Sequence, residues 1–153
     1  MLSGFIYTAR DQAHKRFIEA VKRGVRLPFE LKGEVIYYCG PTNTPKGKTI
    51  GSCGPTTSSR MDKFTPALLK KGLTAMIGKG SRSKEIVKAV KKYGAVYFLA
   101  PAGCGALLAG KVRSAKIIAY KDLGPEAVRK LEVKDFPLIV AIDCKGRSVY
   151  GAK

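Results

Sequence analysis

The first clear pattern along the chain is an amphipathic helix from Asp11 to Val25. Its apolar positions recur at intervals close to the helical period, and they are Ala13, Phe17, Ile18, Ala20 and Val21. Residues at this spacing form one apolar stripe that packs against a core. Gly24 is a natural stop for the helix, because glycine is favoured just after a helical C-terminus.

Shorter apolar runs predict strands. They are EVIYYC (34–39), LTAMIG (73–78), AVYFLA (95–100), AKIIAY (115–120) and PLIVAID (137–143). Helical patterns from Ser83 to Tyr93 and from Pro125 to Leu131 lie between the later runs. Because strands and helices alternate, we predict an α/β fold or a layered β/β/α variant of it. The length of 153 residues is enough for one domain, which we place at residues 1–153.

A long segment rich in glycine, proline, serine and threonine runs from Gly40 to Arg60. A loop of this length inside a compact domain is normally functional or disordered, and its specific small residues favour function. It ends in GPTTSSRMD (54–62), which enters a helix that we predict to run through Phe64, Leu68 and Leu69. Amides at a helix start favour an anion.

The GPTTSSRMD motif has two interpretations. Thr56 and Arg60 are four residues apart, so a carboxylate held by Arg60 could lie beside the Thr56 hydroxyl. Alternatively, Ser58 or Ser59 is simply the N-cap of the helix, with no substrate involved. The motif alone leaves both interpretations open.

Two further segments contain candidate binding residues. IYTARDQAHKR surrounds the start of the first helix, and Arg10 there is suited to bidentate binding of a carboxylate. The alternative is a solvated basic helix face. His14 is the only histidine, and a lone histidine is more often structural than catalytic. In IGKG, Lys79 follows a strand between two glycines, which is a weak signal by itself.

The net charge of the chain limits the kinds of partner and ligand that we expect. Twenty-nine basic and eleven acidic residues give +18, which implies a polyanion, an acidic partner subunit or an anionic substrate. A nucleic-acid-binding protein is therefore a rival hypothesis, although no nucleic-acid motif accompanies the charge. No apolar run reaches the roughly 20 residues of a membrane helix, and no secretory signal is present. We predict a cytoplasmic protein without membrane association.

The four cysteines, Cys39, Cys53, Cys104 and Cys144, occur singly and form no CxxC pair. We therefore expect reduced, mostly buried thiols and no metal site in this chain. A cysteine nucleophile is disfavoured, because nothing in the sequence places His14 near a thiol.

Taken together, IYTARDQAHKR, YYCGPTNTPKGKTIGSCGPTTSSRMD, IGKG and FLAPAGCGALLAGKV resemble, in order and spacing, the beta subunit or C-terminal domain of class I fumarases and L(+)-tartrate dehydratases. The resemblance spans almost the whole chain. It implies a swivelling β/β/α domain with mixed sheets and flanking helices. Members of this family usually carry an additional N-terminal segment, so we expect a leading strand to be absent here or contributed differently.

The resemblance also implies roles for individual residues. Arg10 in TARD, Arg60 after GPTT and Lys79 in GKG would bind a substrate carboxylate, and Thr56 would be the catalytic proton-transfer residue. Possible supporting residues are Asp11, His14 and Thr57.

The resemblance further implies a two-part enzyme. An alpha subunit would carry a 4Fe-4S cluster through its own cysteines, and it would supply the aspartate that activates the threonine. The hetero-oligomer would hydrate fumarate reversibly to L-malate, and this chain would be inactive in isolation. Conversion of L(+)-tartrate to oxaloacetate is the alternative reaction, because the motifs are shared.

Overall fold

The computed structural model describes residues 1–151, which form a seven-stranded sheet with flanking helices. The strands are β1 (Leu2–Thr8), β2 (Val35–Tyr37), β3 (Ala75–Gly78), β4 (Val96–Leu99), β5 (Val112–Ala119), β6 (Val128–Phe136) and β7 (Ile139–Ile142). The α-helices are α1 (Asp11–Lys22), α2 (Thr65–Lys70), α3 (Lys84–Tyr93) and α4 (Gly105–Ala109). Two 3-10 helices span Ser58–Met61 and Lys121–Glu126.

The sheet is mixed, with the strand order β5-β6-β1-β2-β3-β4-β7. The four central strands, β1 to β4, are parallel to one another, while β6, β5 and β7 are antiparallel to their neighbours. The prediction of an α/β fold with a mixed sheet and flanking helices is confirmed. Because β1 to β4 run in the same direction, the segments that follow them begin at one common edge of the sheet.

Both faces of β2 and β3 are buried, which explains their continuous apolar runs. Side chains alternate between the two faces of a strand, so Met76 packs in one core cluster and Ile77 in the other. The first cluster includes Phe17 of α1 and Leu68 of α2. The second includes Leu108 of α4. Helices on each side therefore close the core around the sheet.

Most predicted elements are present in the structure. The first helix ends at Lys22, three residues before the predicted limit, and Gly24 adopts a φ of +65° behind it. The five predicted strands correspond to β2, β3, β4, β5 and β7, and the predicted helix at Ser83 begins one residue later as α3. Between Tyr37 and Ser58 the chain forms neither helix nor strand, as predicted for the long loop.

The helix predicted from Pro125 to Leu131 is wrong. The 3-10 helix ends at Glu126, and the chain continues as β6 from Val128. The buried side chains of β6 are Val128, Leu131, Val133 and Phe136, at intervals of two and three. Bulges in the pairing of β6 with both neighbours break the strict alternation, which makes the spacing look helical in the sequence.

One strand of the sheet shows no clear apolar pattern in the sequence, and it leads into the TARD motif. This strand, β1, lies at the centre of the sheet between β6 and β2. Only its last three residues, Ile6, Tyr7 and Thr8, are buried, so its apolar signal is short. Within residues 1–151, no helix combines the length and the apolar character that crossing a membrane requires.

Candidate functional site

The segments with candidate chemistry meet at the carboxyl edge of the parallel strands. Arg10 follows β1, Gly40 follows β2 and Lys79 follows β3. The long loop returns to the same edge, where the Thr56 amide donates to the carbonyl oxygen of Tyr38 at 2.7 Å. Ligands of open α/β sheets bind outside the carboxyl ends of the strands, so this edge is the natural place for a site.

The end of the long loop also packs against the glycine-rich turn after β4. The amide of Cys53 donates to the carbonyl oxygen of Gly105 at 3.1 Å. A Cβ atom on Gly105 would lie 2.3 Å from Ser52 Oγ and 2.9 Å from the Gly54 nitrogen. The glycine at position 105 therefore permits a close backbone approach, which fixes the chain just before Thr56.

Thr56 and Lys79 are joined through their backbones. The Lys79 amide donates to the Thr56 carbonyl oxygen at 3.2 Å, and the Ser58 amide donates to the Lys79 carbonyl oxygen at 3.0 Å. These bonds form a parallel bridge between Thr57 and Lys79. Thr56 and Lys79 are half-buried, whereas Thr57 is exposed. The structure therefore brings Thr56, the predicted catalytic residue, beside Lys79, one of the three predicted substrate-binding residues.

The interpretation of Ser58 or Ser59 as a helix cap is wrong. The N-cap residue of the 3-10 helix is Thr57, and it makes no capping bond through its side chain. Ser58 is buried, and its Oγ lies 2.8 Å from the Tyr97 hydroxyl. A Cβ atom on Gly78 would lie 1.9 Å from Ser58 Oγ, so only glycine allows this approach. The serine anchors the motif to the sheet.

The expected helix start at the GPTT motif needs a second correction. The helix there is a 3-10 helix of four residues, Ser58–Met61, and α2 begins only at Thr65. A helix this short contributes little dipole, because the effect depends on aligned peptide units. The sequence argument for an anion at a helix start therefore does not apply at Thr56.

Arg10 and Arg60 meet at Asp11, the first residue of α1. The guanidinium of Arg60 contacts both carboxylate oxygens of Asp11, with 3.0 Å between Nε and Oδ1. Arg10 Nε lies 3.7 Å from Asp11 Oδ2 and 3.4 Å from Glu126 Oε1, which are ion-pair distances without a hydrogen bond. The two arginines therefore lie close together, and their charge is neutralised in part by two carboxylates of the chain.

Gly40 and Glu126 belong to this site, although the sequence did not single them out. A Cβ atom on Gly40 would lie 2.9 Å from both Cδ and Nη1 of Arg10, so glycine makes room for the arginine. Glu126 ends the second 3-10 helix, more than a hundred residues from Arg10 along the chain. No local pattern in the sequence connects such distant positions.

The two arginines line an open cavity of about 390 Å³. Its lining consists of Arg10, Asp11, Gln12, Lys15, Arg60, Lys63, Phe64 and Glu126. Four side chains are cationic and two are carboxylates, which leaves a net charge of +2. Thr56 and Lys79 lie outside this lining. A larger cavity of about 750 Å³, next to the end of α1, contains none of the predicted site residues.

The ionisation states in the cavity follow from the ion pair. The hydrogen bond from Arg60 lowers the pKa of Asp11 below its usual value of 3.8, and the same bond raises the pKa of Arg60. Asp11 is therefore a carboxylate at neutral pH. Its carboxylate holds the Arg60 guanidinium in place and occupies two N–H donors that a ligand would otherwise use.

His14 lies beneath Arg10 and is fully buried. Its Nδ1 is 2.8 Å from the Arg10 carbonyl oxygen, and the rings of Phe17, Tyr38 and Phe64 surround it. Burial lowers its pKa from 6.5 to about 4, so the imidazole is neutral at pH 7 and donates from Nδ1. His14 supports the backbone at Arg10 and does not line the cavity.

A second ion pair holds the segment that follows Arg60. Arg82 Nε donates to Asp62 Oδ1 at 2.6 Å, and Nη2 donates to Thr65 Oγ1 at 2.8 Å. The guanidinium also lies 5.0 Å from the centre of the Tyr97 ring. Arg82 was not predicted as part of the site, because a lone arginine in SRSKE reads as a surface residue. Its environment makes it part of the scaffold.

The four cysteines differ in their burial. Cys39 and Cys53 are buried, Cys104 is half-buried and Cys144 is exposed. Cys39 hydrogen-bonds to Cys53, which raises the pKa of Cys39 and lowers that of Cys53. Within residues 1–151, no group of three or more His, Cys, Asp or Glu side chains is arranged to hold a metal ion. An iron–sulfur cluster is bound by several cysteine thiolates, so the residues described here do not fit one.

Comparison with known proteins gives a consistent result. Residues 1–153 match the family described as Fumarase C-terminus. The chain is 45% identical to the "Putative L(+)-tartrate dehydratase subunit beta" of Methanocaldococcus jannaschii, over 97% of this chain and 80% of that protein. It is 40% identical to the aerobic class I fumarate hydratase of Salmonella typhimurium and to fumarate hydratase 2 of Leishmania major. The alignments cover 97% and 98% of this chain but only 26% and 27% of those two proteins.

Proposed function

The chain belongs to the Fumarase C-terminus family, and on that premise we propose that it is the beta subunit of an iron–sulfur hydro-lyase that interconverts fumarate and L-malate. The chain spans about a quarter of the fumarate hydratases it matches but 80% of the tartrate dehydratase beta subunit. The name of that relative supports the role of a beta subunit that works with an alpha subunit. A cytoplasmic location stays a prediction from the sequence.

The observation that carries this proposal is the convergence of two residue pairs at one edge of the sheet. Arg10 and Arg60 meet at Asp11, and Thr56 and Lys79 are bridged through their backbones. Thr56 and Arg60 are four residues apart along the chain, at the two sides of the start of one short 3-10 helix, which supports a common site for both pairs. A dicarboxylate could contact the arginines with one end while its central carbons lie near the threonine.

In the proposed mechanism, Arg10, Arg60 and Lys79 bind one carboxylate of the substrate. Proton removal from the carbon next to that carboxylate develops further negative charge on it, and positive groups fixed beforehand stabilise this charge. Thr56 moves the proton at this carbon. A threonine hydroxyl is a weak base, so it needs activation by a carboxylate, which we assign to an aspartate of the alpha subunit.

The 4Fe-4S cluster of this proposal belongs to the alpha subunit. When bound there, it would polarise the hydroxyl end of the substrate. The role of the present chain is limited to holding the carboxylate, orienting the substrate and moving the proton at Thr56. We accordingly propose a hetero-oligomer in which the isolated chain is inactive.

Dehydration of L(+)-tartrate to oxaloacetate is the second candidate reaction. It is favoured by the 45% identity to a protein named as a tartrate dehydratase beta subunit, which exceeds the 40% identity to the fumarate hydratases. L-Malate and L(+)-tartrate are both dicarboxylates that carry a hydroxyl group at the reacting end. Comparing malate and tartrate turnover in the reconstituted complex decides between them.

Nucleic-acid binding is the rival from another class. Its test is a salt titration of binding to random DNA, because phosphate neutralisation makes affinity fall steeply with salt. Binding in the micromolar range at physiological salt, with a steep slope, would support the rival. Millimolar or weaker binding is the result that our proposal predicts.

Thr56→Ala in the reconstituted complex tests the proposed chemistry. We expect kcat to fall by roughly 10²- to 10⁴-fold, as is typical for loss of a proton-transfer group, while KM changes little. Thr44→Ala is the matched control, because Thr44 is an exposed threonine of the same long loop. An unchanged kcat with a raised KM would make Thr56 a binding group and would contradict the mechanism.

A further inference from the structure

Glu126 is an internal anion of the cavity that the proposed chemistry does not use. Its Oε1 lies 3.4 Å from Arg10 Nε, and its side chain is only 20% exposed. It therefore faces the cavity and not bulk solvent. With Asp11, it reduces the charge of the four cationic side chains there to +2.

We propose that Glu126 is a specificity-determining residue that matches the charge of the cavity to a dicarboxylate dianion. This inference rests on the proposed function, since it takes a dicarboxylate to be the ligand of the Arg10 and Arg60 cluster. Without Glu126 the cavity would carry +3, which would favour a tricarboxylate relative to a dicarboxylate. Glu126 therefore lowers the affinity of the cavity for more highly charged anions.

The electrostatics give this proposal a quantitative form. A charge removed from the cavity wall changes the potential at the ligand, and the gain in binding free energy is proportional to the ligand's charge. If a monoanion gains a factor of about two when Glu126 is neutralised, a dianion gains about fourfold and a trianion about eightfold. A change in the shape or rigidity of the cavity would produce no such progression.

The test compares Glu126→Gln with the unaltered full chain in binding butyrate, succinate and tricarballylate. These ligands carry one, two and three carboxylates and do not undergo the reaction. Dissociation constants are measured by NMR titration at fixed ionic strength, at a pH where all carboxyl groups are ionised. We expect gains of about two-, four- and eightfold in that order. Glu126→Ser is a second neutral variant that should give the same progression.

Glu132→Gln is the control, because it removes one negative charge from an exposed residue of β6 that does not line the cavity. It should leave the three dissociation constants nearly equal to those of the unaltered chain. Equal gains for all three ligands, no gain, or failure of the unaltered chain to bind succinate would each overturn the proposal.

The binding test at Glu126 and the kinetic test at Thr56 can fail independently of each other. Loss of the Thr56→Ala effect on turnover would remove the hydro-lyase mechanism but would leave the charge progression at Glu126 intact. Conversely, a missing progression would remove the role of Glu126 while the kinetics at Thr56 could still stand.

Discussion

Arg82 and Asp62 form an ion pair that is closed to solvent, whereas Arg60 and Asp11 form one at the wall of the cavity. The Arg82 side chain is 0% exposed and that of Asp62 17%. The corresponding fractions are 47% for Arg60 and 26% for Asp11. The pair of Arg60 and Asp11 fixes the 3-10 helix Ser58–Met61, and the pair of Arg82 and Asp62 fixes the residue that follows it.

The difference in burial gives the two pairs different uses. A buried guanidinium must keep all its partners, because an unpaired buried charge is strongly destabilising. Arg82 satisfies this requirement with Asp62, Thr65 and two tyrosine rings. At an exposed arginine, one carboxylate can replace another at little cost, because water compensates for most of the exchange. Arg60 is thus suited to binding a ligand, and Arg82 to holding the scaffold.

The largest effect on stability is expected for Arg82→Ala. Removing the arginine leaves Asp62 without its partner, and the free energy of unfolding should fall by about 3–5 kcal/mol. Urea denaturation measures the change. Arg113→Ala is the matched control, because Arg113 is an exposed arginine of β5, and surface changes of this kind stay within about 0.5 kcal/mol. A loss below about 1 kcal/mol for Arg82→Ala would contradict the distinction between the pairs.

A smaller effect is a pH dependence of the stability that arises from His14, whose pKa is influenced by one residue of each ion pair. Burial is the main cause of its low pKa, while Arg82 lowers it further and Asp11 raises it. Between pH 6.5 and about 4 the unfolded chain binds a proton that the native state does not. Stability should therefore fall as the pH falls through this range, by up to about 1.4 kcal/mol per pH unit.

Urea denaturation across this pH range tests the prediction. His14 is the only histidine, so His14→Leu should remove most of the slope above pH 5. The lowered pKa of Asp11 contributes only at more acidic pH, since its stabilising ionisation is lost as the pH falls through that lowered value. Equal slopes in the two proteins would mean that His14 is not a neutral buried residue.

The smallest effect on stability is expected for Arg60→Lys, because the exposed pair with Asp11 contributes about 0.2–1 kcal/mol. Its effect on catalysis should be larger. Lysine cannot reproduce the bidentate geometry, so kcat/KM of the reconstituted complex should fall by about tenfold or more. Arg23→Lys, at an exposed arginine after α1, is the control. A large loss of stability with unchanged kcat/KM in Arg60→Lys would contradict this account, because Arg60 would then act as a scaffold residue and not as a binding residue.

The sequence predicted those parts of the fold that depend on local patterns. The helical stripe of α1 and the apolar runs of β2, β3 and β4 are continuous, because each is buried along its whole length or on one whole face. The wrong helix at Pro125 and the missed strand β1 have a common cause. β6 is interrupted by bulges and β1 is half-exposed, so neither shows the period of its structure.

The candidate site was likewise predictable only where a local pattern marks its residues. Arg10, Thr56, Arg60 and Lys79 could be proposed as site residues from the sequence because each lies in a motif that follows a strand or a turn. Glu126 and Arg82 were missed because their roles arise only when distant segments meet. Glu126 meets Arg10 because the start of β6 lies beside the end of β1. Arg82 is buried between α2 and two tyrosines. Burial of a charged side chain cannot be inferred from its neighbours in the sequence.

Reconstitution is the most direct test of the central claim, that this chain supplies the cationic clamp and Thr56 to an enzyme completed by an alpha subunit. Malate and tartrate turnover should be measured anaerobically for the chain alone, for the cluster-loaded alpha subunit alone and for their mixture. The account predicts turnover only in the mixture. Robust turnover by the chain alone, or by the alpha subunit alone at the rate of the mixture, would contradict it.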